Sequence, residues 1–382
     1  MKIGLVIDHL DPRRGGAEQW TFQHVERLLA RGHEVHVVAR DVTGPAAELP
    51  LIPHRLGHIR SILGKAEAAE RTIRGLDLDV VHDIGVGWSG HVLQSEDGSR
   101  IAQWNQKLQL LPPWLRLGKR AMLHLLPRYR DFRRLMARQF GDPGRIVIAV
   151  SKMCARDYQR YHGVPPERIR LVYHGTDNER FSPSHRQTWR QAIRERHAVA
   201  DDEAFFLFVG PDFRRKGLDT AVRAVERLAA EGHKVRLVVV GGKRRGDSTP
   251  PGERPPGIVT HVGPIDDPVP YYAAADAFVL PTFYDPCSLS VSEAVASGLP
   301  SVTTRFNGAA ELLTEGVDGF VCEDPADDRE LADRLRKLTD PAVCRRMGDQ
   351  ARKLALRHTL DRNCDETIDV YREIAGRKRR AA

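Results

Sequence analysis

Short apolar runs alternate with amphipathic stretches along this chain. Residues 3–7 (IGLVI) carry no polar side chain and end at Asp8, which predicts a first β-strand. Further runs at 80–82, 145–150 and 169–173 predict strands in the first half. The second half repeats the signal at 205–209, 235–240, 258–262, 277–281 and 300–303. Two stretches echo each other. Residues 25–38 read VERLLARGHEVHVV and residues 225–238 read VERLAAEGHKVRLV. Each is the end of an amphipathic helix, a glycine stop and a strand. Each follows a strand and a glycine-containing turn, so the chain opens twice in the β-turn-α-β manner of a doubly wound sheet. The fold class expected is α/β, with two Rossmann-like domains facing each other across a cleft. The boundaries expected are 1–178 for the first domain, 179–203 for a polar linker and 204–361 for the second. A last helix at about 362–375 is expected to pack back on the first domain, with the tail GRKRRAA disordered. The Gly- and Pro-rich stretch 241–257 is expected to be a mobile loop.

The length of 382 residues suits two α/β domains better than one. No apolar run approaches the length needed to cross a bilayer, and the opening run is too short for a signal peptide. Cys154, Cys287, Cys322, Cys344 and Cys364 are scattered and contain no C-x-x-C pair, which points to reduced thiols in the cytoplasm. The net charge of +8 favours an anionic partner. A nucleic acid is one such partner, but no helix-turn-helix or zinc-finger spacing and no aromatic RNA platform is present.

Three segments carry candidate chemistry. The first is 277–302, AFVLPTFYDPCSLSVSEAVASGLPSV, read as strand, loop, helix, glycine stop and strand. Its helix starts near Ser288, Leu289 and Ser290, where unpaired backbone N–H groups suit a diphosphate. Asp285 and Glu293 flank that start, with seven residues between them. Carboxylates so placed have a use as acceptors for sugar or ribose hydroxyls. The second segment is Gly210-Pro-Asp-Phe-Arg-Arg-Lys-Gly217. It sets Arg214, Arg215 and Lys216 at the carboxyl end of the sheet, where open α/β folds bind ligands. Three adjacent cations repel, and a diphosphate would relieve them. The third is Arg13-Arg-Gly-Gly-Ala-Glu18, whose paired glycines, Gly15 and Gly16, allow a close backbone approach. Neither a P-loop nor G-x-G-x-x-G spacing occurs.

These segments, in this order, resemble the family-4 glycosyltransferases, the retaining class with the GT-B fold. RGGAEQW resembles that family's amino-terminal glycine loop, and VYHGTDNERFSP its stretch before the linker. FVGPDFRRKG resembles its diphosphate-gripping loop, and YDPCSLSVSEAVASGLPSV its E-x7-E motif, with Asp285 as the shorter first acid. The combination is most similar to lipopolysaccharide-core and cell-surface polysaccharide sugar transferases. The resemblance implies transfer of a hexose from a nucleotide-diphosphate sugar, a UDP-hexose for preference and GDP-mannose as the alternative. It implies a glycolipid or saccharide acceptor, retention of configuration and no metal or other cofactor. Arg215 and Lys216 would neutralise the leaving diphosphate, facing the start of the Glu293 helix across a gap the width of a pyrophosphate. Asp285 would touch the sugar and Glu293 the ribose, while Val262, Gly263 and Ile265 would frame the base. From the first domain, Gly15 and Gly16 would face the reacting centre. The family's histidine near the transferred sugar has no clear counterpart, and Glu96 or Asp97, or else His82 or Asp83, occupies that place. An epimerase or hydrolase of the same fold is the rival reading.

One further stretch is distinctive. Between Arg116 and Arg138 lie eight Lys/Arg and a single acid, Asp131, interleaved with Trp114, Leu115, Met122, Leu123, Leu125, Leu126 and Leu135. A basic amphipathic element of this kind at 111–140 suits the anionic inner face of a plasma membrane, and equally suits a helical insertion with a solvated basic face.

Overall fold

A computed structural model describes residues 1–109, 111–242 and 257–381; the backbone alone is described at 124, 125, 128 and 378–381. Most of the predicted loop 241–257 lies outside the described residues. The chain divides into two compact units: Met1–His174 with Leu360–Ala382, and Gly175–Thr359.

The first unit is built on seven parallel strands, β1 (Lys2–Val6), β2 (Glu34–Ala39), β3 (Ile52–Arg55), β4 (Val80–Asp83), β5 (Val92–Gln94), β6 (Ile146–Ala149) and β7 (Ile169–Leu171). Their order is β3-β2-β1-β4-β5-β6-β7, and Ile3 pairs with Val35 on one side and Val80 on the other. Strands covered on both faces need no alternation of polar residues, so β4 and β6 are buried throughout. Helix α1 (Gly16–Ala30) buries Trp20, Val25 and Leu28 against this sheet. It stops where Gly32 takes φ 75°, as the echoing Gly232 does at 89°. Helices α2 (Arg100–Gln109), α3 (Pro113–Leu125) and α4 (Pro127–Gly141) follow β5. The C-terminal helix runs Leu360–Ala381, so the tail expected to be disordered continues it as far as Ala381. Its Ile368, Tyr371 and Ile374 join the same core as Ile3, Leu5 and Trp20. The Trp20 indole N–H donates to Asn363 Oδ1 at 2.9 Å, and the Tyr371 hydroxyl bridges His24 Nε2 at 2.9 Å and His82 Nδ1 at 2.7 Å. Buried polar groups are stable only with such partners, and these tie the chain's end to its beginning.

The second unit carries six parallel strands, β8 (Ala204–Val209), β9 (Val235–Val240), β10 (Val259–Gly263), β11 (Ala277–Leu280), β12 (Ser301–Thr304) and β13 (Gly319–Cys322), ordered β10-β9-β8-β11-β12-β13. The expected linker 179–203 is not one, because it holds helix α5 (Arg186–Arg196). Ile193 of that helix is buried, and Arg190 and Arg194 bond the two Asp276 carboxylate oxygens at 2.6 and 3.1 Å. Asp276 lies just before β11 and is mostly buried, so it needs those guanidinium partners. Polar composition suggested a linker where the polar residues are instead counter-ions. Helix α6 (Leu218–Ala230) buries Leu218, Ala221, Val222, Val225 and Leu228, a stripe at helical spacing. Helix α7 (Leu289–Ala296) follows β11 and ends before Gly298, at φ 72°.

Candidate active site

In the second sheet the strand order reverses between β8 and β11. Loops leaving a parallel sheet on either side of such a reversal diverge and leave a crevice at the strands' carboxyl ends. The loop after β8 is Gly210 to Lys216. Asp212 caps a short helix, Phe213–Lys216, accepting from the Arg215 N–H at 3.2 Å. Gly217 then takes φ 80°, and a Cβ there would fall 2.0 Å from the Pro281 carbonyl oxygen. Only glycine lets the two switch-point loops approach so closely. The Arg215 carbonyl accepts from the Phe283 N–H at 2.8 Å, and the Arg215 guanidinium donates to the Tyr284 carbonyl at 2.9 Å.

This stitching brings the predicted charges together. The Lys216 ammonium bonds Asp285 Oδ2 and lies 3.5 Å from Ser288 Oγ. Lys216 and Asp285 are only 7% and 6% exposed. Arg215 reaches the same carboxylate oxygen at 3.7 Å and Asp212 at 3.2 Å. The expected gap between Lys216 and the helix start is therefore closed, and the ammonium rests on the α7 cap. The expected mutual repulsion of the cations is also offset, since Asp212 and Asp285 stand among them. Burial pulls the Lys216 ammonium below its ordinary pKa, and Asp285 acts in the opposite sense. The aliphatic stem of Lys216 passes over Gly210, whose missing side chain leaves the room: a Cβ would lie 3.3 Å from its Cγ.

Ser288 sits at the N-cap of α7 without bonding back through its side chain. Its hydroxyl lies 3.0 Å from that of Ser290. The first-turn amides at Leu289, Ser290 and Val291 have no intrahelical acceptor, which is the general condition of a helix start. Two residues that sequence reading missed shape this turn. Asn307 is fully buried; its Oδ1 accepts from the N–H groups of Ser288 and Ala309, both at 3.1 Å, and its amide donates to Thr303 Oγ1 at 3.1 Å. An asparagine between strand and turn was the available signal, in TTRFNG. Tyr272 donates its hydroxyl to Glu293 Oε2 at 2.8 Å. No local pattern links residues 272 and 293. Burial pushes the Glu293 carboxyl up, and the Tyr272 bond opposes it. At the ends of the neighbouring strands, Val262, Gly263 and Ile265 form a half-buried turn, with Gly263 at φ 85°. The Gly241 N–H bonds the Gly263 carbonyl at 2.9 Å, joining the carboxyl ends of β9 and β10.

The first unit's sheet reverses between β1 and β4. Gly15, in extended conformation, caps α1, and Gly16 begins it. A Cβ on Gly15 would lie 3.0 Å from the Glu18 carboxylate. His82 does not serve as a sugar contact: it is fully buried under the C-terminal helix and bonded to Tyr371, and burial drives its pKa well down. The reason is strand alternation, which turns His82 into the core. Asp83 is also fully buried, and its Oδ1 accepts from the N–H groups of Gly85, Val86 and Gly87, so it builds the turn after β4. Glu96 is half-buried, accepting from Gln94 at 2.6 Å and lying 3.3 Å from His174. Asp97 is exposed and paired with Arg100. Among the described residues no three His, Cys, Asp or Glu side chains gather as a metal-binding set.

Comparison with known proteins bears on both units. Residues 14–180 match the family Glycosyltransferase Family 4, and residues 190–354 match Glycosyl transferases group 1. D-inositol 3-phosphate glycosyltransferase of Acidothermus cellulolyticus is 26% identical across all of this chain and 92% of its own length. Lipopolysaccharide glucosyltransferase WaaG of Escherichia coli is 26% identical over 61% of this chain; the match spans 64% of WaaG. The crystal structure of a WaaG involved in lipopolysaccharide biosynthesis superposes with a TM-score of 0.78 at 21% identity, covering 97% of this chain and 99% of that one. Anabaena HepE, solved with UDP and glucose, gives 0.69 at 17% identity, covering 97% and 99%. These likenesses show the GT-B fold.

Proposed function

Because the chain belongs to the GT-B glycosyltransferases, a family-4 domain followed by a group-1 domain, we propose that it moves a hexose from a UDP-hexose to a glycolipid or saccharide acceptor of the cell envelope. Retention of anomeric configuration is part of the same reading, as is a place of action on the cytoplasmic side. The observation that carries it is the meeting of Lys216, Arg215, Asp285 and the α7 start at the switch point of the second sheet. HepE, of the same fold, is solved with UDP-glucose, which supports the choice of donor.

Breaking the bond between sugar and phosphate leaves negative charge on the departing diphosphate. Groups fixed beforehand around that charge lower the barrier most. Lys216, Arg215 and the first-turn amides of α7 are such groups. A bound diphosphate takes over the Lys216 ammonium from Asp285, whose freed carboxylate then accepts from sugar hydroxyls. Glu293, oriented by Tyr272, accepts from the ribose. The acceptor hydroxyl oxygen bonds to the anomeric carbon as the bond to phosphate breaks, and its proton passes to the leaving diphosphate.

The test is transfer by Lys216→Ala and Arg215→Ala with UDP-glucose, with and without acceptor. Removing one preorganised group from a developing anion costs roughly 10²–10³ in turnover. Donor binding should weaken less. Turnover at the normal rate in both variants overturns the diphosphate assignment. Donor consumption that needs no acceptor marks a hydrolase instead.

A further inference from the structure

The chain leaves β1, β2 and β3 at one corner of the first sheet, at its carboxyl end, where open parallel sheets take ligands. Asp8 and His9 follow β1, Arg40 follows β2 directly and His58 follows β3. Lys65 comes in from the start of the helix Ile62–Arg74. Two acids stand in this corner, and each is already taken. Asp8 Oδ2 accepts from the Lys65 ammonium at 2.7 Å, and Asp41 Oδ1 lies 2.7 Å from His9 Nδ1. Arg40 is left with imidazoles: its guanidinium lies 3.0 Å from His58 Nδ1 and 3.5 Å from His9 Nε2. A guanidinium only donates, so both ring nitrogens act as lone-pair acceptors and neither brings negative charge. Among the described residues its nearest carboxylate oxygen, Asp8 Oδ1, is 4.0 Å away, too far for a hydrogen bond. That oxygen and Arg40 Nε are both withdrawn from water, and neither has a hydrogen-bond partner among the described residues. The Arg40 side chain is only 21% exposed and that of Lys65 15%. A cation drawn this far from water needs a close anion, and no described residue supplies one to Arg40.

We propose that this corner binds an anionic substituent of the acceptor, a phosphate ester or a carboxylate, between the Arg40 guanidinium and the Lys65 ammonium. The proposal rests on the preceding reading, in which the chain glycosylates a saccharide or glycolipid. An oxyanion matches the planar fork of Arg40 and has oxygens to spare for Lys65. The Lys65 ammonium has three donors and Asp8 uses one, so it serves carboxylate and ligand together. A neutral sugar would satisfy the donors but leave the Arg40 charge without its counter-ion. The corner also adjoins the glycine turn that begins α1. Burial pushes the Glu18 carboxyl up in the first turn of that helix, and Arg14, His9 and Asp8 act on it through space. The anion therefore sits on the side of the first sheet to which Gly15 and Gly16 belong, and Asp8, beside it, tempers the affinity by like-charge repulsion.

The full chain is saturated with UDP, and its thermal midpoint is then followed against glucose 6-phosphate, glucuronate and glucose at one ionic strength. A charged sugar at about ten times its Kd should raise the midpoint by roughly 3–6 °C, and glucose should not. The larger rise with glucose 6-phosphate marks a phosphorylated acceptor, and the larger rise with glucuronate marks a uronate. Arg40→Gln and Lys65→Gln should each remove the rise, measured from the variant's own midpoint without sugar. Asp8→Asn takes away the like charge and should tighten binding several-fold, a gain that a misfolded variant could not show. No rise with either charged sugar overturns the proposal. So does a rise that persists in Arg40→Gln, or one that Asp8→Asn leaves no tighter. The rise produced by UDP itself should survive in all three variants and vanish in Lys216→Ala, so failure of this site and failure of the donor reading are told apart.

Discussion

Replacing Asp285 by asparagine tests the core of the second unit's site. The Lys216 ammonium is almost wholly withdrawn from water and its bonded carboxylate is Asp285. Removing one member of a buried ion pair leaves the other charge uncompensated and costs about 3–5 kcal/mol. Asparagine keeps one oxygen acceptor and Ser288 Oγ remains 3.5 Å away, which places the loss near the lower figure. That is a large share of a stability of about 5–15 kcal/mol. The loss depends on pH in a defined sense. Burial holds the folded Lys216 below the ordinary value of 10.5, while Asp285 raises it. Between the folded and ordinary values the unfolded chain binds the extra proton, so stability rises with pH in that window. Without Asp285 the folded value drops further and the window widens downward. The deficit of Asp285→Asn is therefore greatest near neutral pH and shrinks as pH climbs toward 10.5. Urea unfolding at pH 7 and pH 9 reads it. A nucleoside diphosphate supplies the missing charge, so saturating UDP should stabilise the variant more than the native chain; about 2.7 kcal/mol is the shift for a ligand at a hundred times its Kd. A loss under about 1 kcal/mol, the same at both pH values, would show that Lys216 does not depend on Asp285. Equal UDP shifts in the two proteins would remove Lys216 from the diphosphate site.

Tyr272→Phe removes the hydroxyl that orients Glu293 and should raise the donor KM several-fold with kcat little changed, as Glu293→Gln should; steady-state kinetics with varied donor decide it. Gly217→Ala forces a left-handed alanine and a Cβ into the Pro281 carbonyl, and should cost about 2–4 kcal/mol in urea unfolding along with most transfer. Tyr371→Phe leaves ring nitrogens of both His24 and His82 without their shared partner and should cost about 1–3 kcal/mol, read as a lower Tm. Burial holds the folded His24 down to about 3 and His82 well below 6.5. Below pH 6.5 the unfolded chain therefore takes up protons that the folded chain refuses. Stability should fall on acidification toward pH 4, and His24→Gln should flatten that slope in urea titrations at stepped pH.

Local pattern was enough for most of the strands, though not for β3 and β13, for the two echoing helix-glycine-strand units and for the helix start at Ser288, because each rests on neighbours within a few residues. The sequence also singled out Arg215, Lys216, Asp285 and Glu293, since each pair lies within one short stretch, a single loop or a loop and the helix that follows it. Other assignments needed contacts between distant segments. The region 179–203 looked like a linker until Asp276 supplied ion partners for Arg190 and Arg194. His82 looked available for a sugar until the C-terminal helix covered it with Tyr371. Asp285 and Lys216, 69 residues apart, became a buried pair only when parallel strands β8 and β11 set their loops side by side. The side of α3 that meets water, where Trp114 and Leu117 are exposed, was likewise undetermined by periodicity, which separates apolar from polar residues without saying which the protein covers. Burial, pairing and exposure are properties of packed surfaces, and the fold alone decides which surfaces meet.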